Sequence, residues 1–192
     1  MSKNNSKSAW TVLVSGSAVG LLASLFQTIE RINYAKNPNV HLQCDISSIF
    51  SCRNVFDAWQ SSFFGFSNSL VCMIFFGVLL GVGLAGLASS KISRWLRLLG
   101  HYLSLFFLGF GAWYLYQSAY SIGYICIFCS ACYTGVIALN WAWLRLNYSD
   151  LPWFKKRTQS FEKLMQKDTD TLLWVLYAIG IACMIAFRFW YR

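Results

Sequence analysis

Seven cysteines fall in a chain of 192 residues, and four of them are spaced for thiol chemistry. Cys126 and Cys129 form a C-x-x-C within GYICIFCSACYTG, residues 123–135, and Cys132 follows at the same three-residue step. Cys44 and Cys52 stand in HLQCDISSIFSC with seven residues between them. A C-x-x-C at a helix start puts two sulfurs on one face a turn apart, where they can close a disulfide, and the helix dipole there favours a thiolate. The wider pair, with Ser47, Ser48 and Ser51 inside it, can close a small loop or separate. A mobile pair beside a fixed pair suits thiol–disulfide exchange, in which a thiolate reaches the next sulfur through a mixed disulfide. Each pair also has a plainer reading, as packing cysteines or an inert structural disulfide. Three thiols near one helix face would also suit a soft metal such as Cu(I). No Met or His cluster accompanies them, and the outer two are about 9 Å apart along a helix, so no metal ligand is assigned.

The elements that must position these thiols are membrane helices. The chain is 57% hydrophobic and 12% charged, and five unbroken apolar runs are long enough to cross a bilayer. They are residues 10–27, 70–88, 98–116, 124–144 and 172–190. Unbroken runs exclude the alternating pattern of barrel strands. The fold class expected is an all-α membrane protein with five transmembrane helices, a four-helix core around a pocket and a fifth, peripheral helix. One integral membrane domain accounts for residues 1–192: a core at 10–146 with a loop at 29–69, and the fifth helix at 171–190. The first run is too long for a secretory signal core and is read as a retained span.

The net charge of +9 is arranged around these spans. Lys3 and Lys7 precede the first, Lys91, Arg94 and Arg97 follow the second, and Arg145, Lys155, Lys156, Arg157, Lys163 and Lys167 follow the fourth. If the spans alternate, all of these fall on one side, which the positive-inside rule makes cytoplasmic. No nucleic-acid role is expected, because the charges bracket spans instead of forming an aromatic-interleaved patch. Both cysteine pairs then converge on the outer face, where disulfides persist in an oxidising compartment. His101 falls at the other end and is read as interfacial. Cys72 and Cys183 are read as packing residues.

The set CDISSIFSCRNVF, then FSNSLVC, then CIFCSACYTG resembles the vitamin K epoxide reductase family in its bacterial disulfide-forming branch, over about residues 10–146. An unrelated quinone-linked disulfide oxidase carries its C-x-x-C in the first outer loop, the opposite order. The resemblance implies that Cys126 and Cys129 are the active-site pair, with Cys129 facing a quinone of the ubiquinone or menaquinone type and Cys126 exchanging with the loop. It implies that Cys44 and Cys52 are the shuttle pair, Cys52 exchanging with Cys126 and Cys44 with an external thiol protein. Asn68 and Tyr133 match positions that hydrogen-bond the quinone oxygens, and Phe56 matches an aromatic covering the pocket. Read without the family, Asn68 is also a good cap for the second span, and Tyr133 can bond a neighbouring helix. Trp59, Phe63, Phe64, Phe66 and Trp113 are pocket-wall or interfacial aromatics.

Asp57 and Ala58 stand where relatives often carry a small hydroxyl residue, and Cys132 where they usually lack a cysteine. No thioredoxin-like domain follows the fifth span, which implies a separate periplasmic partner with a thioredoxin fold. The expected function is therefore reoxidation of that partner in the bacterial inner membrane, with electrons passing to quinone. Reduction of vitamin K epoxide or quinone as the physiological purpose uses the same residues. A soft-metal carrier or scaffold is the non-enzymatic alternative.

Overall fold

The computed structural model describes residues 3–151 and 168–190. The basic run from Lys155 to Lys167 lies outside the described residues. Five helices among those described are long and apolar enough to cross a membrane. They are α1 (Lys3–Lys36), α3 (Asn68–Leu87), α4 (Arg94–Gln117), α5 (Ile127–Asn147) and α6 (Thr169–Trp190), and the short α2 (Cys52–Asp57) lies in the loop. A 3-10 turn covers Trp59–Ser62, and a π-helical turn at Ser118–Ile122 prolongs α4. The protein is an all-α membrane protein, and the strand pairing described is a single bridge between Phe50 and Ile125.

The twenty residues of α3 rise about 30 Å, the thickness of a hydrocarbon core. The 34 residues of α1 exceed it. Its helix runs on to Lys36, so the loop expected from residue 29 starts later. The extension is polar, and loop contacts hold it. The Gln43 amide donates to Glu30 Oε2 at 3.2 Å, Arg31 donates to the hydroxyls of Ser61 and Ser62, and Tyr34 donates to the Asp57 carboxylate.

Helix α1 packs against both α3 and α5, and α4 closes the bundle against α5. At the α1–α5 crossing a Cβ on Gly135 would lie 2.8 Å from the Gly16 carbonyl oxygen, so only glycine permits this approach. Leu13, Phe76, Leu139 and Trp143 are fully buried around it. Helix α6 lies outside this core, sharing a small apolar cluster with Leu115, Tyr133 and Ile137. Its first turn is fastened electrostatically. Arg145 is buried, meets Asp170 and Asp168 at 2.7 Å each, and lies over the Trp141 ring. A guanidinium in this setting requires such partners, because desolvation without them is costly.

His101 is not interfacial: it is 3% exposed, with Nδ1 lacking a partner among the described residues. The reason is that α4 starts at Arg94, two turns earlier, with the Leu96 amide capped by the Ser93 hydroxyl. Cys183 does not pack either, being exposed on α6.

Candidate functional site

Gly123, at φ 79°, ends the π-helical turn in the left-handed region and redirects the chain into residues 124–126. Cys126 follows as the N-cap of α5, its extended backbone leaving Sγ to accept the Cys129 amide at 3.4 Å. A sulfur that caps a helix is held against the positive end of the dipole, the setting that favours a thiolate. Cys129, one turn on, has a partly buried side chain facing the bundle interior.

The loop brings its own sulfurs to the same point. Cys44 and Cys52 are joined in a disulfide, and Cys52 Sγ lies 3.6 Å from Cys126 Sγ. The flexible carrier expected from Ser47, Ser48 and Ser51 is instead firmly seated. Asp45 Oδ1 accepts from Ser51 Oγ at 2.9 Å, from the Cys52 amide at 2.8 Å and from the Arg53 amide at 3.3 Å. The Arg53 guanidinium bonds the carbonyls of Pro38 and Val40, and the amides of Ser51 and Ile125 pair with Ile125 and Ile49 carbonyls. Cys44, Cys52 and Cys126 are each fully buried, in one cluster with Leu42, Val55, Phe56 and Tyr114. The loop pair and Cys126 therefore present no exposed sulfur in this arrangement, and reaching them requires the loop to lift.

Below Cys129 a cavity of about 60 Å³ enters the bundle, lined by Phe75, Phe76, Phe107 and Phe110 with Asn68, Cys72, Cys132 and Tyr133. A cavity holding a single aromatic ring is roughly 150 Å³, so a quinone ring needs these side chains to rotate apart. The wall otherwise fits one: it is aromatic, it ends at a thiol, and Asn68 Oδ1 is a buried acceptor without a partner among the described residues. Asn68 does not cap α3. Ser67 occupies the cap position, while Asn68 Nδ2 donates to the Gln60 carbonyl at 2.7 Å, which fixes its amide against the cavity.

The other expected ligands divide. Tyr133 lines the cavity, but its hydroxyl donates to the Leu108 carbonyl at 3.2 Å and lies 2.5 Å from the Tyr177 hydroxyl of α6. Phe56 is not on the cavity wall. It packs one layer outward, against the Tyr34 ring and the loop cysteines, with Arg31 over its face. Trp59, Phe63 and Phe66 are exposed, and at the rim Trp59 meets Trp113 tilted and Phe63 meets it edge-on. Phe110 is the aromatic that joins this rim to the cavity.

Three further residues complete the site. Cys72, read as a packing residue, and Cys132 both line the cavity, from α3 and α5, and pack in one cluster. Gln27 of α1 donates from Nε2 to Cys129 Sγ at 3.1 Å. Its signal in the sequence is a single amide at the end of an apolar run, easily taken for the end of a span.

A search of the curated proteins returns no match for the chain. The family model described as "Vitamin K epoxide reductase family" matches residues 11–144, from the first turns of α1 to the last of α5. With both cysteine pairs inside that match and two of their sulfurs in contact over an apolar cavity, the chain belongs to the vitamin K epoxide reductase family and is a membrane thiol–disulfide oxidoreductase of the quinone-reductase type.

Proposed function

We propose that the protein reoxidises a periplasmic thioredoxin-fold partner in the bacterial inner membrane and passes the electrons to a ubiquinone- or menaquinone-type quinone, supporting disulfide formation in other proteins. The observation that carries this reading is the 3.6 Å approach of Cys52 Sγ to Cys126 Sγ, which links the loop pair to the C-x-x-C above the cavity. A quinone supplies a two-electron, two-proton sink, and the chain's residues govern everything before it.

The reduced partner attacks the Cys44–Cys52 disulfide at Cys44, once the loop has lifted, and leaves oxidised as Cys44 and Cys52 become thiols. The Cys52 thiolate then attacks Cys126 Sγ of the Cys126–Cys129 disulfide, and the electron pair leaves on Cys129. Cys44 closes back onto Cys52 and frees Cys126, so that Cys126 and Cys129 are left as the reduced pair. They deliver two electrons into the cavity as they re-form their disulfide. Asn68 holds a fixed acceptor there, suited to a quinol hydroxyl, and keeps one Nδ2 hydrogen for a quinone carbonyl. Tyr133 shapes the wall, its own proton being committed to Leu108. In this reading the N-terminus is cytoplasmic and the thiol end of the bundle faces the periplasm, on the placement of Lys and Arg.

The test is to mix the purified protein with a reduced thioredoxin-fold protein and a soluble quinone, and to follow quinone loss optically. Steady consumption, with matching disulfide formation in the partner, is expected. A protein that is folded yet consumes no quinone would refute the reading.

A further inference from the structure

Two polar side chains from different helices share the cavity wall with Cys129. Gln27 Nε2 of α1 donates to its sulfur at 3.1 Å, and the Tyr114 side chain of α4 packs with Cys129 in one buried cluster. Both residues are 7% exposed, and both line the cavity with Cys129. An amide N–H pointing at a sulfur has nothing to gain from a disulfide, which is a weak acceptor, and much to gain from a thiolate, since hydrogen bonds to ionised acceptors are roughly twice as strong as neutral ones. Among the described residues the surrounding groups do not supply a cation instead. They are Cys126 at the N-cap of α5, Cys132 on α5, Cys72 on α3 and Tyr114 on α4, while Arg31 of α1 is spent on Ser61 and Ser62.

We propose that Gln27 and Tyr114 are catalytic residues that form a two-donor cradle for the Cys129 thiolate. The cradle acts at one step. When Cys52 attacks Cys126, the Cys126–Cys129 bond breaks and the Cys52–Cys126 bond forms. The proton that Cys52 has released goes to water at the loop, and the electron pair remains on Cys129. A thiol that is more stable as an anion leaves faster. In an apolar cavity two fixed donors do for this sulfur what an oxyanion hole does for an oxygen. The inference rests on the preceding assignment of Cys129 as the thiol facing the cavity.

The experiment uses two readouts, of which one needs no quinone. In a Cys126→Ser background, where Cys129 is a free thiol, its alkylation by a small membrane-permeant maleimide is followed against pH by peptide mass. Gln27→Leu, nearly the same shape without the donor, and Tyr114→Phe are each expected to move the midpoint to higher pH. In the otherwise wild-type chain each should slow quinone turnover through kcat by about 10-fold to 100-fold. Gln27→Glu, which sets an acceptor against the sulfur, should move the midpoint further. If Gln27→Leu proves unfolded by its thermal melt, Gln27→Met takes its place. A pH profile that stays unmoved in the folded Gln27 variant overturns the cradle. Failure of the functional reading looks different: the wild type would then consume no quinone while the alkylation shift remained.

Discussion

The hydroxyls of Tyr133 and Tyr177 lie 2.5 Å apart, joining the cavity wall to α6. Because Tyr133 donates to the Leu108 carbonyl, Tyr177 is the donor between the two rings. The matched family region stops at residue 144, so a helix beyond it steadies a residue inside it. Tyr177→Phe removes that donor while keeping the ring. The expected result is a loss of about 1 kcal/mol in stability, seen as a lower melting temperature in detergent, with a higher KM for quinone and kcat within a few-fold. An unchanged KM would leave Tyr177 a purely structural contact.

The two cysteine pairs should separate by electron donor. Cys126→Ala and Cys129→Ala are expected to abolish quinone reduction by every thiol donor. Cys44→Ala and Cys52→Ala should spare turnover with a small membrane-penetrating dithiol that reaches the inner pair directly. Parallel assays with the dithiol and a protein donor check this, and equal loss with both would place the loop pair in the catalytic centre.

Access to the loop sulfurs should be gated by Asp45. Cys44 is fully buried, and Asp45 holds the turn that covers it through three donors. After mild reduction of intact cells, an impermeant thiol reagent should label Cys44 slowly, and Asp45→Ala should raise that rate roughly tenfold, as expected for about 1.4 kcal/mol less cost of opening. Labelling seen only after membrane disruption would reverse the proposed orientation.

Cys132→Ala should retain quinone turnover within a few-fold. The thiol is buried beside Cys72 and the Gly20 carbonyl, so its removal leaves a small void worth about 1 kcal/mol. Activity and melting temperature measured together check this. Loss of activity in a folded variant would give the third thiol of the C-x-x-C-x-x-C run a part in the electron path.

How much of this was legible beforehand differs by residue. Five apolar runs were enough for five helices, because lipid leaves the backbone no other solution. The C-x-x-C at the start of α5 was equally readable, since three residues of spacing fix the geometry of one turn. Gln27 was not, because its importance lies in facing a residue 102 positions away. Nor was the commitment of the Tyr133 hydroxyl, which depends on α4 and α6 arriving on either side. The loop looked mobile because its serines suggest freedom, and the one carboxylate that removes that freedom has no signature except its place between two cysteines.

Cys126 performs two tasks with one atom. The sulfur that exchanges electrons also terminates α5 by accepting the Cys129 amide. A thiolate is a strong acceptor for that amide, and a sulfur tied up in a disulfide is a weak one. Each turnover therefore tightens and loosens the first turn of the helix that carries the cavity wall. The exchange rate of the Cys129 backbone proton with deuterium becomes a gauge of oxidation state, slow when Cys126 is anionic and faster when it is bridged, readable without any substrate present.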